Sequence, residues 1–124
     1  MRDIKFRAWV KFNYGPGGSH FNMMYQGTPD LETLQSFMFH YGNEKNLMQF
    51  TGLQDRNGVD IYEDDYLEND HGKASIVKFI DGCFMIVNCA NGNTYPFTKG
   101  ALKNKKVISN KFQYSKHKVD NGCH

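Results

Sequence analysis

Acidic side chains crowd the middle of the chain, where they could bind a cation or attract a basic partner. From Gln54 to Asp70 the sequence holds seven acids and one basic residue, Arg56. The acids are Asp55, Asp60, Glu63, Asp64, Asp65, Glu68 and Asp70. Asp55, Asn57 and Gly58 lie too close together for an EF-hand calcium loop, which also needs flanking helices. The three cysteines lack the short paired spacing of zinc sites, so we expect no bound metal.

Basic side chains form a second block further along the chain. No acid occurs from Gly82 to Val119, and lysines fill the later half of that stretch. Five of them make a candidate nucleic-acid surface: Lys99, Lys103, Lys105, Lys106 and Lys111. Binding through such lysines falls steeply with added salt. Two other interpretations stay open. The basic block attracts the acidic block, within the chain or between subunits, at ~0 to 1 kcal/mol per exposed pair, or the lysines are merely solvated.

Trp9 is the single tryptophan, and it lies among basic residues on one face of an alternating N-terminal segment. One interpretation is that a stacked arginine or lysine covers the indole. A second is that Trp9 anchors an interface with another copy or with a protein partner, since aromatic and arginine side chains concentrate binding energy. Stacking on a nucleic-acid base is a third. The candidate interface residues are Arg7, Trp9, Asp60, Tyr62, Asp64 and Asp65.

Signatures of catalysis and of cofactor binding are missing from the sequence. There is no glycine-flanked serine, no phosphate-binding GxxxxGK[ST] loop and no dinucleotide-binding GxGxxG. We therefore expect a protein that acts by recognition, without catalytic residues or a cofactor.

Apolar runs fall short of the ~18 residues that a membrane span needs, and the chain starts with alternating charges instead of a signal peptide. Three cysteines, an odd number, suit a reducing compartment. We expect a cytoplasmic protein without a membrane partner.

The first part of the chain alternates with a period of two, which predicts a strand. Ile4, Phe6, Ala8, Val10 and Phe12 share one face, which we expect to point inward. A glycine-rich loop leads to a second expected strand at His20 to Tyr25, giving a hairpin. Thr28-Pro29-Asp30 then predicts one short helix with Thr28 as N-cap, Pro29 as first residue and Asp30 in the first turn.

Turns dominate the second half of the chain. Asn57-Gly58, Asp81-Gly82 and Asn91-Gly92 each fit the two positive-φ positions of a type I′ hairpin turn. Ala74 to Ile80 and Cys83 to Cys89 are rich in β-formers and predict paired antiparallel strands. Cys83 and Cys89 are an even number of positions apart, so we expect both to be small core residues on one face.

The segment from Leu47 to Asp65 (LMQFTGLQDRNGVDIYEDD) strongly resembles the signature of the YopX family of small phage and prophage proteins. The opening Met1 to Trp9, the pair Met24-Tyr25 and the hairpin from Val77 to Phe84 are also similar to that family. Val107 to Phe112 is similar to its closing strand.

The sequence departs from the family pattern at four positions. Ser109 stands in place of a glycine, and Gln113-Tyr114 in place of Glu-Asn. Asp64 replaces a turn glycine, but aspartate is one of the few residues that tolerate positive φ, so we expect the turn to survive.

The resemblance implies a mainly β protein with an SH3-like small barrel in its C-terminal part, preceded by a β-hairpin region and one short helix. We place the N-terminal region at residues 1–45, the barrel region at 46–114 and a flexible tail at 115–124. The resemblance also implies phage or prophage origin, and it implies no catalytic residue. The function that follows is a protein-binding or self-assembling β module, with nucleic-acid binding as the alternative and an uncharacterised enzyme third.

Overall fold

A computed structural model describes residues 3–13, 15–43 and 45–113 of the chain. The flexible tail expected at 115–124 lies outside these ranges. The chain divides into two compact units, residues 1–50 and 51–124, with the boundary inside a strand. The elements are β1 (Phe6–Asn13), β2 (Ser19–Tyr25), α1 (Leu31–Tyr41), β3 (Leu47–Gln54), β4 (Asp60–Tyr62), β5 (Asp65–Glu68), β6 (Ala74–Ile80), β7 (Cys83–Asn88), β8 (Thr94–Pro96), α2 (Lys99–Leu102) and β9 (Lys106–Asn110).

The first unit is a sheet in the order β2-β1-β3 with α1 against one face. The alternation of β1 sends Ala8 and Val10 to that face, where they are buried together with Phe37 of α1. Tyr41, one helical turn after Phe37, packs on the same cluster because residues four apart share a helix face. The inward-facing alternation expected for β1 is confirmed at these positions.

Helix α1 begins two residues later than the sequence predicts. Its N-cap is Asp30, not Thr28, and the Asp30 carboxylate accepts a hydrogen bond from the Thr33 N–H at 2.9 Å. The Thr28 hydroxyl donates to the Asp30 carboxylate instead of capping the helix itself. A carboxylate at this position satisfies an unpaired N–H and interacts favourably with the helix dipole.

The second unit is built on a five-stranded antiparallel sheet in the order β8-β7-β6-β5-β9. In addition, the end of β3 lies beside β4, where the Thr51 hydroxyl donates to the Ile61 carbonyl at 2.7 Å. One core cluster consists of five buried apolar side chains: Ile61, Leu67, Val77, Ile86 and Leu102. A second cluster consists of Tyr66, Ile76 and Cys89. Leu102 comes from α2, a second short helix that the sequence did not predict.

Of the three hairpin turns expected, one has the type I′ geometry. Asp81 and Gly82 both have positive φ, 51° and 84°, and they join β6 to β7 with the expected register. Cys83 is exposed, because it follows this turn at the tip of the hairpin, whereas Cys89 is buried. The expectation of two core cysteines is therefore wrong for Cys83.

The other two Asn-Gly pairs lie in wider loops, because a side chain upstream organises each loop. Asp55 and Asn88 accept hydrogen bonds from backbone N–H groups that follow them, and in each loop only the glycine has positive φ. Asn69 organises a third loop that resembles the Asp55 loop. Each loop closes with a glycine three residues after the organising side chain, Gly58 after Asp55 and Gly72 after Asn69. These loops satisfy backbone donors with a carboxylate or amide oxygen.

The chain is mainly β, with two antiparallel sheets, one of them curled into a half-barrel. The predicted fold class is confirmed. Asp64 has φ of 70°, so the aspartate does occupy the left-handed conformation that was expected of this turn.

Candidate functional site

The N-terminal hairpin presents aromatic and sulfur-containing side chains on one face. β1 pairs with β2 in antiparallel register, with Trp9 opposite Met23 and Lys11 opposite Phe21. These side chains lie on the face opposite to Ala8 and Val10, because successive residues of a strand alternate. The α1-covered face of this unit thus forms its core, while the other face carries Trp9, Phe21 and Met23.

Trp9 stacks on Phe21. The ring centroids are 5.7 Å apart and the planes are within 3° of parallel. Phe21 is a diagonal cross-strand neighbour of Trp9, a distance that large aromatic side chains span. Such pairs contribute ~0.5 to 1.5 kcal/mol beyond the area they bury. Trp9 therefore has an aromatic stacking partner from β2, in addition to the basic neighbours that its strand supplies.

Strand β2 forms the outer edge of its sheet. The Gln26 N–H donates to the Phe6 carbonyl at 2.9 Å. This bond shows which residues of β2 direct their backbone N–H and C=O groups toward β1. In this register Met24 and Asn22 turn their backbone groups toward β1, and Phe21 and Met23 turn theirs to the outer side. The edge therefore offers a row of backbone donors and acceptors to another strand.

The sequence of β2, Ser-His-Phe-Asn-Met-Met-Tyr, contains no Lys, Arg, Asp or Glu, no proline and no glycine. Edge strands are usually protected by charge, proline, shortness or a bulge. β2 is seven residues long and contains neither a formal charge nor a proline that would protect it. Its side chains Phe21 and Tyr25 are 47% and 55% exposed. The edge strands of the five-stranded sheet differ: β8 has three residues and contains Pro96, and β9 begins with Lys106.

The predicted interface residues lie in different environments. Trp9 is half-buried and Asp60 is half-buried. The other four are buried: Arg7, Tyr62, Asp64 and Asp65. Of the six predicted interface residues, only Trp9 is a partly exposed member of the N-terminal hairpin, because Arg7 is buried. Phe21 and Met23 were not among the predicted residues, although the uncharged run at Ser19 to Tyr25 was the signal that could have found them.

Asp64 has internal partners. Its carboxylate accepts a hydrogen bond from Lys78 Nζ at 2.9 Å, and Lys111 Nζ lies 3.6 Å from the other oxygen. Its backbone N–H donates to the Val77 carbonyl at 2.8 Å. Asp65 is likewise engaged, since its carboxylate accepts from the Tyr62 N–H at 2.8 Å. These acids fix the turn between β4 and β5.

The acidic and basic blocks meet within the second unit, where β5 and β9 pair in antiparallel register. Lys106 lies 3.8 Å from Glu68 across this pair, and Lys111 reaches Asp64. Attraction between the blocks, one of the three interpretations, thus occurs inside the chain. Among the predicted nucleic-acid residues, Lys99 and Lys103 are exposed on and after α2, and Lys105 Nζ donates to the Ala101 carbonyl at 2.8 Å.

Within residues 3–13, 15–43 and 45–113, no cluster of three or more His, Cys, Asp or Glu side chains could hold a metal ion. Over the same ranges, no helix has the length and apolarity needed to cross a membrane.

A scan against protein-family models matches residues 5–117 to the YopX protein family. The chain belongs to the YopX family. The match covers nearly the whole chain, so it includes both the N-terminal hairpin and the β5–β9 sheet. A comparison with curated proteins gives no match. Membership in the YopX family thus agrees with the segments that resemble the family signature.

Proposed function

We propose that this YopX-family protein is a self-associating β module, in which the β2 edge of one copy pairs antiparallel with the β2 edge of a second copy. The observation that carries the proposal is the seven-residue, uncharged outer edge of β2, with exposed aromatic side chains beside it. Recognition through this edge involves no catalysis and no cofactor. The family resemblance further supports an origin in a phage or prophage and a place of action in the bacterial cytoplasm.

A second copy fits the edge because two identical uncharged strands meet without like-charge repulsion. A twofold axis at Asn22 would place Phe21 of one copy opposite Met23 of the other, and both residues direct their backbone groups outward. The same surface then serves both copies, as in most symmetric dimers. The side chains of Phe21 and Met23 also form a favourable aromatic–sulfur contact.

Hydrogen exchange tests this arrangement at single residues. The N–H groups of Asn22 and Met24 bond to β1 in any case, so they are protected at every protein concentration. Those of Phe21 and Met23 become protected only when a second strand covers the edge. We expect their protection to rise with protein concentration, in step with the dimer fraction measured by sedimentation. Fast exchange at Phe21 and Met23 in a sample that sediments as a dimer would overturn the proposal.

Met23→Pro removes one outward N–H without touching the β1 ladder, and Met23→Val is the matched control that keeps it. We expect the proline variant to sediment as a monomer and the valine variant to dimerise like the wild type. Phe21→Lys places a charge on the edge and should also give a monomer. Far-UV circular dichroism checks that each variant folds. A wild-type protein that stays monomeric at millimolar concentration contradicts self-association. The same holds if the monomer binds a different protein through this edge.

A further inference from the structure

The second unit contains a cleft of about 330 Å³, and one of the residues that line it, Lys105, belongs to the predicted nucleic-acid surface. The cleft opens on the face of the sheet that carries the core residues Val77 and Ile86. Ser75 shares this face because it lies two positions before Val77 on β6. Asn88 shares it because it is the cross-strand partner of Ser75. Its polar lining consists of Asn69, Lys73, Ser75, Asn88, Tyr95 and Lys105. Ile86 and Ala101 supply an apolar part of the wall. A concave site with a few polar groups over an apolar wall is the usual form of a small-molecule site.

The two asparagines of the cleft have a fixed orientation. Asn69 Oδ1 accepts hydrogen bonds from the N–H groups of His71 and Lys73, at 2.9 and 3.0 Å. Asn88 Oδ1 accepts from Ala90 and Asn91, at 2.8 and 3.3 Å. Because each side-chain oxygen is held by two backbone donors, the Nδ2 amide group is the part of each side chain left to meet a ligand. Both asparagines therefore act as donors.

The charged side chains of the cleft are both cationic. Lys105 Nζ is held at the wall by the Ala101 carbonyl at 2.8 Å and by Asn104 Oδ1 at 3.3 Å, which leaves one of its three protons for a ligand. Lys73 is exposed at the rim. Of the described residues that line the cleft, none is acidic. The Ser75 and Tyr95 hydroxyls add two further donors.

We propose that this cleft binds a phosphate group, either free or as the monoester of a small organic molecule. A lining of two lysines, two oriented amides and two hydroxyls matches a ligand that offers only acceptor oxygens and negative charge. The ring of Tyr95, 46% exposed, and the side chain of Ile86 provide an apolar contact for an organic group attached to the phosphate. The site lies in the second unit and is independent of pairing through β2.

The side-chain NH₂ signals of Asn69 and Asn88 report binding directly in ¹H–¹⁵N spectra. We would titrate the full chain with inorganic phosphate, with adenosine 5′-monophosphate and with adenosine, at constant ionic strength. We expect saturable shifts of both NH₂ groups and of the Ser75 amide with the two phosphates. Tighter binding of the monophosphate identifies an organic phosphate as the ligand, and equal binding identifies free phosphate. Adenosine that binds as tightly as its monophosphate would overturn the proposal.

Lys73→Gln tests the charge requirement, because Lys73 is exposed and the variant should fold normally. We expect it to weaken phosphate binding about tenfold, the usual scale for losing one charge-assisted hydrogen bond. Lys103→Gln is the matched control, since Lys103 is also an exposed lysine of the second unit but does not line the cleft. Equal weakening by the two substitutions would indicate diffuse attraction to the lysines and would overturn a specific site.

Discussion

Asp55 Oδ2 accepts a hydrogen bond from the backbone N–H of Val107 at 2.8 Å, across 52 residues of sequence. The other oxygen of the same carboxylate accepts from Asn57 and Val59 and so organises the loop between β3 and β4. One buried side chain therefore fixes a local loop and ties the start of β9 to it. Hydrogen bonds from backbone N–H groups to a carboxylate are charge-assisted and therefore stronger than those to a neutral acceptor.

Replacing Asp55 by asparagine should destabilise the protein by about 1–3 kcal/mol. The amide oxygen can still accept from the loop, but the amide NH₂ then faces the Val107 N–H, and two donors cannot bond. Urea unfolding measures the loss. Asp70→Asn is the control, since Asp70 is exposed and its pair with Arg56 lies at the surface, where such pairs contribute about 0–1 kcal/mol. Equal stability of the Asp55 variant and the wild type would contradict this role.

At Asp64 the backbone conformation and the charge can be separated by two substitutions. Asp64→Asn keeps a residue that tolerates positive φ but loses the attraction to Lys78 and Lys111. Asp64→Ala loses the same attraction and also places a Cβ-bearing residue without a polar side chain at φ of 70°. We expect the alanine variant to be less stable than the asparagine variant by about 1 kcal/mol. Equal free energies of unfolding would show that the left-handed conformation is not strained here.

The helix cap predicts a pH dependence at the start of α1. The Thr28 hydroxyl, the Thr33 N–H and the Thr33 hydroxyl lower the pKa of Asp30 from 3.8 to about 2. Because the folded pKa is below the unfolded one, the cap contributes fully above pH 3.8, and its contribution is lost as the pH falls toward about 2. A carbon-13 titration of the Asp30 carboxyl group, with exchange of the Thr33 amide, measures this loss. In Asp30→Asn, the protection factor of the Thr33 amide, which is its exchange rate relative to an unfolded chain at the same pH, should not change over that range.

The two loops organised by Asp55 and Asn69 should respond alike to loss of their glycines. Gly58 and Gly72 have φ of 80° and 74°, and a Cβ at either would meet no atom within 4 Å. Alanine at either position therefore costs conformational strain alone, about 1–2 kcal/mol. Gly27→Ala is the control, because Gly27 has the same open surroundings without a positive φ. A larger loss at Gly27 than at Gly58 or Gly72, measured by thermal unfolding, would count against this explanation.

Local patterns in the sequence predicted much of the fold. The alternation of β1 and the Asp81-Gly82 turn depend on neighbouring residues, and both are confirmed. The type I′ geometry predicted at Asn57-Gly58 and Asn91-Gly92 is wrong, because the side chains of Asp55 and Asn88 bind backbone N–H groups and widen these loops. The helix cap was misplaced by two residues for a similar reason, because two candidate caps, Thr28 and Asp30, compete.

The candidate sites depend on pairing between distant segments, which no local pattern encodes. The Trp9–Phe21 stack needs the register of β1 with β2, and the cleft joins the Asn69 loop to Asn88, Tyr95 and Lys105. Among the predicted interface residues, Trp9 lies in the exposed hairpin, whereas Asp64 and Asp65 fix a turn. Composition alone could not distinguish a solvated acid from one held by backbone N–H groups.

The unequal edge strands of the two sheets limit how far the proposed self-association can extend. Over the described ranges, β2 is long and uncharged. The other edge strands are β4, which has three residues and begins with Asp60, β8, which ends at Pro96, and β9, which begins with Lys106. A twofold contact through β2 consumes the same edge on both molecules and leaves no equivalent strand for a third. If β2 pairs as proposed, assembly ends at two subunits, and raising the protein concentration fills the dimer without producing longer polymers.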